Sequence, residues 1–387
     1  MNRKVLFNLL QDIYGKNDEQ VRYFQAPGRV NLIGEHIDYN GGHVFPAAID
    51  MFSTVAVRKR NDRIIKLYAT DLKYVVEADM DNLEKYMDLK WGNYQLGVVD
   101  QLLKNGFELG GAEFIFDDKV PLGAGLSSSA AIEVVTAFAM TRIYGYDTEK
   151  IELAKIAQKA EHEYVGVKCG IMDQFASAMG KENKAMLLNT NTMEYEYVPI
   201  NIDDYAILIT NTNKKRSLGD SAYNKRREEC ESALKDMQKQ HPEKKYLCDF
   251  TYKEFLSVSE DIKDPTAKKR AEHAVCENTR VLDSVKALKK KDLLSFCKYL
   301  NLSHISLRDL YEVSSKELDF LVENTWLQKG VLGSRMTGAG FGGCTVTIIE
   351  KDYIDEFIQN VSKSYLDIME YEASFYVCKL ADGVKEI

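Results

Sequence analysis

The chain has 387 residues, enough for roughly two to three domains of about 150 residues each. With 45% hydrophobic residues and a net charge of −8, it reads as a globular protein with sizeable cores, and its bulk charge opposes nucleic acid binding. Seven scattered cysteines, never spaced Cys-x-x-Cys, argue against a zinc site or a disulfide framework and fit a reducing compartment. Residues 5–10 are too short an apolar run for a signal peptide, and no stretch approaches the roughly 20 apolar residues of a membrane span. The expectation is a cytoplasmic protein with no membrane and no nucleic acid partner.

Residues 1–15 predict an amphipathic helix, and 21–25 a short strand. That strand leads into 26–42, where Arg29, Glu35, His36, Asp38 and Asn40 stand between glycines. The glycines predict a loop rather than a long helix. Clustered donors and acceptors on a shaped loop suit a sugar, although each residue alone also fits a solvated polar loop. Residues 52–59, 63–69 and 74–78 read as strands. Trp91 and Tyr94 open a helix ending near 105–106. On composition alone they read equally well as two aromatics packing a helix start.

Residues 112–116 form the next strand. The stretch 121–131 follows: Pro121, Leu122, Gly123, Ala124, Gly125, Leu126, Ser127, Ser128, Ser129, Ala130, Ala131. The run 132–140 behind it reads as an uninterrupted apolar helix. The order is therefore strand, Gly-rich loop, helix N-terminus. Gly123 and Gly125 allow a positive φ and a close approach by a ligand. The serines can cap the helix, and the helix start favours an anion, above all phosphate. No Lys follows the second glycine, so this is not a Walker A loop. No Val-Ala-Ile-Lys or His-Arg-Asp motif makes it a protein kinase.

Residues 149–164 read as an amphipathic helix that carries Glu161 on its apolar stripe. An unpaired buried carboxylate is costly, so Glu161 either reaches solvent at the stripe edge or meets a cation such as Mg²⁺. Asp173 lies in a mostly apolar segment behind Gly170, where the bland reading is a first-turn charge. Residues 205–210 form a strand, and a polar run covers 211–215. Tyr223 begins a charged helix and alone would be a surface residue. Residues 225–300 are helix-rich, with alternating charges that suggest solvated faces. Residues 238–245 read as a loop. Five glycines in 333–343 predict a loop before a strand at 344–349. A helix at 353–366 and a strand at 374–380 close the chain.

The stretch 121–131 resembles the ATP-binding motif of the GHMP small-molecule kinase superfamily. The string Gly28-Arg29-Val30-Asn31-Leu32-Ile33-Gly34-Glu35-His36, followed by Asp38-Tyr39-Asn40-Gly41-Gly42, resembles the signature of its galactokinase family, with Ile37 where many members carry Thr. The resemblance runs in order from residue 26 to 343. It implies an α+β two-domain GHMP kinase fold of mixed sheets and helices, divided 1–198 and 199–387, with the active site in the inter-domain cleft. It implies transfer of the ATP γ-phosphoryl to the C1 hydroxyl of α-D-galactose.

By the same resemblance, Asp173 and Arg29 are catalytic. Galactose is held by Arg29, Glu35, His36, Ile37, Asp38, Gly170, Asp173 and Tyr223. ATP is held by Gly123, Ala124, Gly125, Leu126, Ser127, Ser128 and Ser129, with Trp91 and Tyr94 at the adenine. Mg²⁺ is held by Ser129 and Glu161, and the 333–343 loop supports the site. Two roles stay open for Asp173, accepting the proton or orienting the hydroxyl, because a loose phosphoryl-transfer transition state needs little base strength. A monomer is expected. The rivals are a kinase for N-acetylgalactosamine and a sensor that binds both ligands without turnover. The presence of Ser129 and Ala130 favours an active enzyme.

Overall fold

A computed structural model describes residues 2–121, 123–214 and 219–387. Leu122 of the Gly-rich stretch and Lys215 at the end of the polar run lie outside them. The amphipathic N-terminal segment is the helix Arg3–Tyr14. Its Leu6 and Leu10 are buried against Ala56 and Ile115 of the first sheet.

That sheet has six strands, in the order Lys385–Glu386, Arg22–Asn31, Pro46–Lys59, Ala112–Asp118, Ile64–Ala69, Tyr74–Asp79. Only Ile64–Ala69 and Ala112–Asp118 run parallel. Val331–Thr337, Cys344–Glu350, Tyr205–Asn211 and Ser374–Cys378 form a four-stranded sheet, all antiparallel. His43–Val44, Lys184–Asn189 and Tyr195–Pro199 form a third. The expected α+β class of mixed sheets and helices is what the chain adopts. Residues 380–387 return to the first sheet, where Lys385 and Glu386 pair with Gln25 and Phe24.

The helix Ser128–Ile143 packs across the first sheet, and every residue from Ala130 to Thr141 is buried. A helix buried on all sides belongs in the middle of a core. The run read as uninterrupted apolar in fact contains Glu133 and Thr136, both 0% exposed. Thr136 bonds back to the Ile132 carbonyl at 2.7 Å. Glu133 is treated with the site below.

Two further expectations are corrected. The strand expected at 21–25 runs on to Asn31, so the signature begins on a strand and turns to loop only from residue 32. The glycines of 26–42 predicted a loop, but the register shifts between Pro27 and Arg29, and such a bulge re-aims a side chain without ending the strand. The 333–343 stretch is likewise half strand. Val331–Thr337 is paired, and the loop starts at Gly338. Gly333 is needed for packing rather than turning: a Cβ there would meet the Cys297 carbonyl at 2.7 Å.

Candidate active site

A cavity of about 560 Å³ opens where the loop after Arg22–Asn31, the Gly-rich loop and the 338–341 loop converge. Gly28 makes the first approach possible. A Cβ there would lie 2.7 Å from the Leu126 carbonyl, and the next residue, Arg29, donates its backbone N–H to that carbonyl at 3.1 Å. The Gly-rich loop therefore rests on the strand that carries Arg29. Gly123 and Gly125 have φ of 69° and 78°, as a loop of this kind requires. Gly338 completes the contact, because a Cβ there would be 2.9 Å from the Gly125 carbonyl.

Arg29 is 3% exposed. Its Nε donates to Asp173 Oδ1 at 2.7 Å, and Nη1 donates to the Gly125 carbonyl at 2.7 Å. Asp173 Oδ2 accepts from Ser127 Oγ at 2.6 Å. Thus one guanidinium joins the Gly-rich loop to the helix Met172–Met179. The serines were expected to cap the helix Ser128–Ile143. Ser127 is its first flanking residue, but it sits at φ 60° and makes no capping bond. Its hydroxyl is turned to Asp173 instead, so it does not occupy the N–H groups at the helix start. Gly123, Gly125, Ser127, Ser128 and Ser129 line the cavity. Ala124 and Leu126 are 1% and 0% exposed and line none of it.

Glu35 is anchored from far along the chain. Its Oε1 accepts from the Gly338 N–H at 2.8 Å and Thr337 Oγ1 at 3.1 Å. Arg335 Nη2 stands 3.2 Å from the same oxygen. Arg335, fully buried, also donates to the carbonyls of Asn31 and Leu32. Asp38 faces Gly170 so closely that a Cβ there would come within 1.7 Å of Asp38 Oδ2. Burial, with the charges of Asp173 and Glu35, raises the Asp38 carboxyl to about 7.

His36 has a φ of 62°. Its Nδ1 lies 2.7 Å from Tyr39 Oη and its Nε2 3.1 Å from the Ala339 carbonyl. Burial, then the neighbouring His273, hold its pKa down at about 3. Tyr223 lines the cavity with its ring 5.5 Å from the His36 ring. It lies on the helix Gly219–Met237, which starts four residues earlier than expected. Ile37 is 0% exposed and lines no part of the cavity.

Tyr94 lines the cavity. Trp91 does not: it packs edge-on against Phe116 at 5.4 Å. Glu161 and Ser129 line the same cavity. Glu161 faces this cavity rather than the outer surface. It is 8% exposed at the start of a π-helical turn, Glu161–Val165, where the helix Lys150–Ala160 ends. Gln174 Nε2 donates to Glu161 Oε2 at 2.7 Å and to Glu133 Oε2 at 3.0 Å. Burial, then the charge of Glu161, push the Glu133 carboxyl well up. Glu133 and Gln174 were not foreseen. The one available signal was a Glu within the apolar helix behind the loop.

Three family descriptions match the chain: the galactokinase galactose-binding signature at 8–59, the GHMP kinase N-terminal domain at 93–181 and the GHMP kinase C-terminal domain at 284–367. A galactokinase of Fusobacterium nucleatum is 47% identical over 99% of this chain and 100% of its own. This chain belongs to the galactokinase family. A second galactokinase, from Clostridium acetobutylicum, is 47% identical over 97% of each chain. The crystal structure of Lactococcus lactis galactokinase complexed with galactose matches with a TM-score of 0.96 and 41% identity, covering 99% of both chains. Methanococcus jannaschii mevalonate kinase shares the fold at 19% identity and a TM-score of 0.69, covering 95% of this chain and all of its own.

Proposed function

We propose that this galactokinase-family enzyme transfers the γ-phosphoryl of ATP to the C1 hydroxyl of α-D-galactose, releasing ADP. The observation that carries the reading is the Arg29–Asp173 pair, bonded at 2.7 Å between the Gly-rich loop and the sugar loop. Phosphoryl transfer is mainly positioning and charge stabilisation, and this pair stands where a phosphate and a hydroxyl would meet. Gly123, Gly125 and the serines cradle the phosphates against the helix start. Tyr94 lies at the nucleotide end. Asp173 orients the C1 hydroxyl and takes its proton as the new bond forms. Arg29 steadies the charge on the transferring group. Asp38, Glu35 and the backbone at Gly170 read the sugar hydroxyls.

Mg²⁺ fits this donor set. Glu161 is a buried carboxylate facing the cavity that also holds the Ser129 hydroxyl. Among the described residues no group of three or more His, Cys, Asp or Glu could hold a metal. A site of two protein oxygens is the kind that Mg²⁺ completes with phosphates and water. When bound, the ion would neutralise phosphate charge. No helix of the described residues is long and apolar enough to cross a membrane.

The test is ADP release from Mg-ATP with D-galactose, D-glucose or N-acetylgalactosamine. Release with galactose alone is expected. Release chiefly with N-acetylgalactosamine would keep the mechanism and change the substrate. ATP binding without release would support a sensor.

A further inference from the structure

His36 stands in the cavity wall, yet neither ring nitrogen is available to a sugar. The protons around it can be placed by elimination. The Ala339 carbonyl can only accept, so His36 Nε2, 3.1 Å away, must carry a proton. Burial holds the His36 ring neutral, its pKa down at about 3, so Nδ1 is an acceptor and Tyr39 Oη, at 2.7 Å, donates to it. Tyr39 has then spent its only proton. Tyr311 Oη, 2.8 Å from it, must donate to Tyr39. Tyr311 in turn accepts from the Cys230 thiol at 3.1 Å. Cys230 Sγ accepts from Asn40 Nδ2 at 3.6 Å. Asn40 Nδ2 also donates to the His36 carbonyl at 2.9 Å, which fixes the amide orientation. Every proton in the chain points the same way, from Asn40 through Cys230, Tyr311 and Tyr39 to His36 and on to Ala339.

We propose that Tyr39 and Tyr311 are positioning residues. Their one-way hydrogen-bond chain holds the Nδ1 edge of His36 while the Ala339 carbonyl sets the Nε2–H tautomer, and together they fix the ring and tie the 338–341 loop to the sugar loop. The consequence for recognition is specific. His36 presents a ring in a stack, 4.8 Å from the Tyr311 ring and 5.5 Å from that of Tyr223, and no in-plane donor or acceptor. The sugar is then read by carboxylates and Arg29 against an aromatic wall. Tyr311 and Cys230 are 272 and 190 positions from their partners in the sugar loop, so the chain also joins distant parts of the fold across the site.

The direction of the chain stands on these distances and on a neutral His36 ring. Its bearing on the sugar rests on the galactose reading, and the experiment separates the two. Nitrogen-15 NMR of labelled histidines, with the His36 signals assigned by their loss in His36→Gln, reads the tautomer in the wild-type protein, which needs no variant to fold. We expect Nε2 protonated and Nδ1 not. Tyr39→Phe removes the donor to Nδ1 but leaves the Ala339 carbonyl, so the Nε2–H tautomer should persist while the Nδ1 signal shifts to that of an acceptor without its hydrogen bond. Tyr311→Phe should leave the tautomer unchanged, because Tyr39 can still donate. A protonated Nδ1 in the wild type overturns the proposal, as does a Tyr39→Phe spectrum identical to wild type.

With galactose and Mg-ATP, Tyr39→Phe should raise the galactose KM about tenfold, the loss of one buried hydrogen bond. Its kcat should stay within about threefold, since a loosened sugar loop weakens ground-state and transition-state binding alike and so acts mainly on KM. An unmoved KM overturns the positioning role. A wild type that ignores galactose yet shows the Nε2–H tautomer overturns the galactose reading, and with it that role, while the direction of the chain stands.

Discussion

Arg29 and Asp173 are 144 positions apart in sequence and 2.7 Å apart in space. The same arginine grips the Gly125 carbonyl, so the pair holds three chain segments in register. Asp173→Asn keeps the shape and removes the charge. The expected outcome is a kcat lower by about 10²-fold or more, the range for a lost general base. ADP release at saturating galactose measures it, and near-normal turnover would remove Asp173 from the chemistry.

Gly170 is held to its identity by Asp38. A Cβ at 170 would lie 1.7 Å from Asp38 Oδ2, a clash that only movement of the carboxylate relieves. Gly170→Ala should therefore raise the galactose KM by at least about tenfold, the scale of one lost charge-assisted hydrogen bond. The KM for ATP should move much less. Equal rises in both would show a general distortion instead.

Asp38 also sets a pH dependence. Its carboxyl is raised to about 7, first by burial and then by Asp173 and Glu35. Between its unfolded value and about 7, the unfolded chain has lost this proton and the folded one keeps it. Asp38 thus makes the folded state progressively less stable as pH rises through that window, and the full cost is present above it. Asp38→Asn removes the cost. Melting temperatures at about pH 4 and about pH 8 should show a variant close to wild type at the lower value and more stable at the higher. The gain should be about 1–2 kcal/mol once partial exposure is discounted. Galactose affinity should fall in the same variant. No difference between the two pH values would contradict this account.

Glu161→Gln tests the Mg²⁺ assignment. The amide keeps the size and the contact with Gln174 and loses the charge. ATP titrations by calorimetry at several Mg²⁺ concentrations should show about tenfold more Mg²⁺ needed for tight binding, equivalent to about 1.4 kcal/mol. An unmoved Mg²⁺ curve would mean that Glu161 is no ligand.

The loops that carry the site could be read locally, because their residues follow one another. Gly123, Gly125, the three serines, Glu35, His36 and Asp38 all line the cavity. The contacts that hold them could not. Glu35 finds Thr337 and Gly338 at separations of 302 and 303, and no periodicity announces such a pairing. Trp91 and Ile37 show the reverse limit. The resemblance put both at the ligands, yet the fold turns both side chains into the core. Glu133 was lost in an apolar run because burial, not local pattern, gives it meaning. The start of 26–42 was read as loop because a bulge looks like a loop until its partner strand is known.

The separations around Glu35 and Asp173 have a further consequence. A nascent chain whose first two hundred residues have left the ribosome holds the Gly-rich loop, Arg29 and Asp173, but Glu35 has none of its anchors. Arg335, Thr337 and Gly338 must still be synthesised and folded back before the sugar loop has its shape. Incomplete chains therefore lack an ordered acceptor pocket beside the phosphate cradle. Competence to phosphorylate arrives late and all at once, as a property of the finished protein.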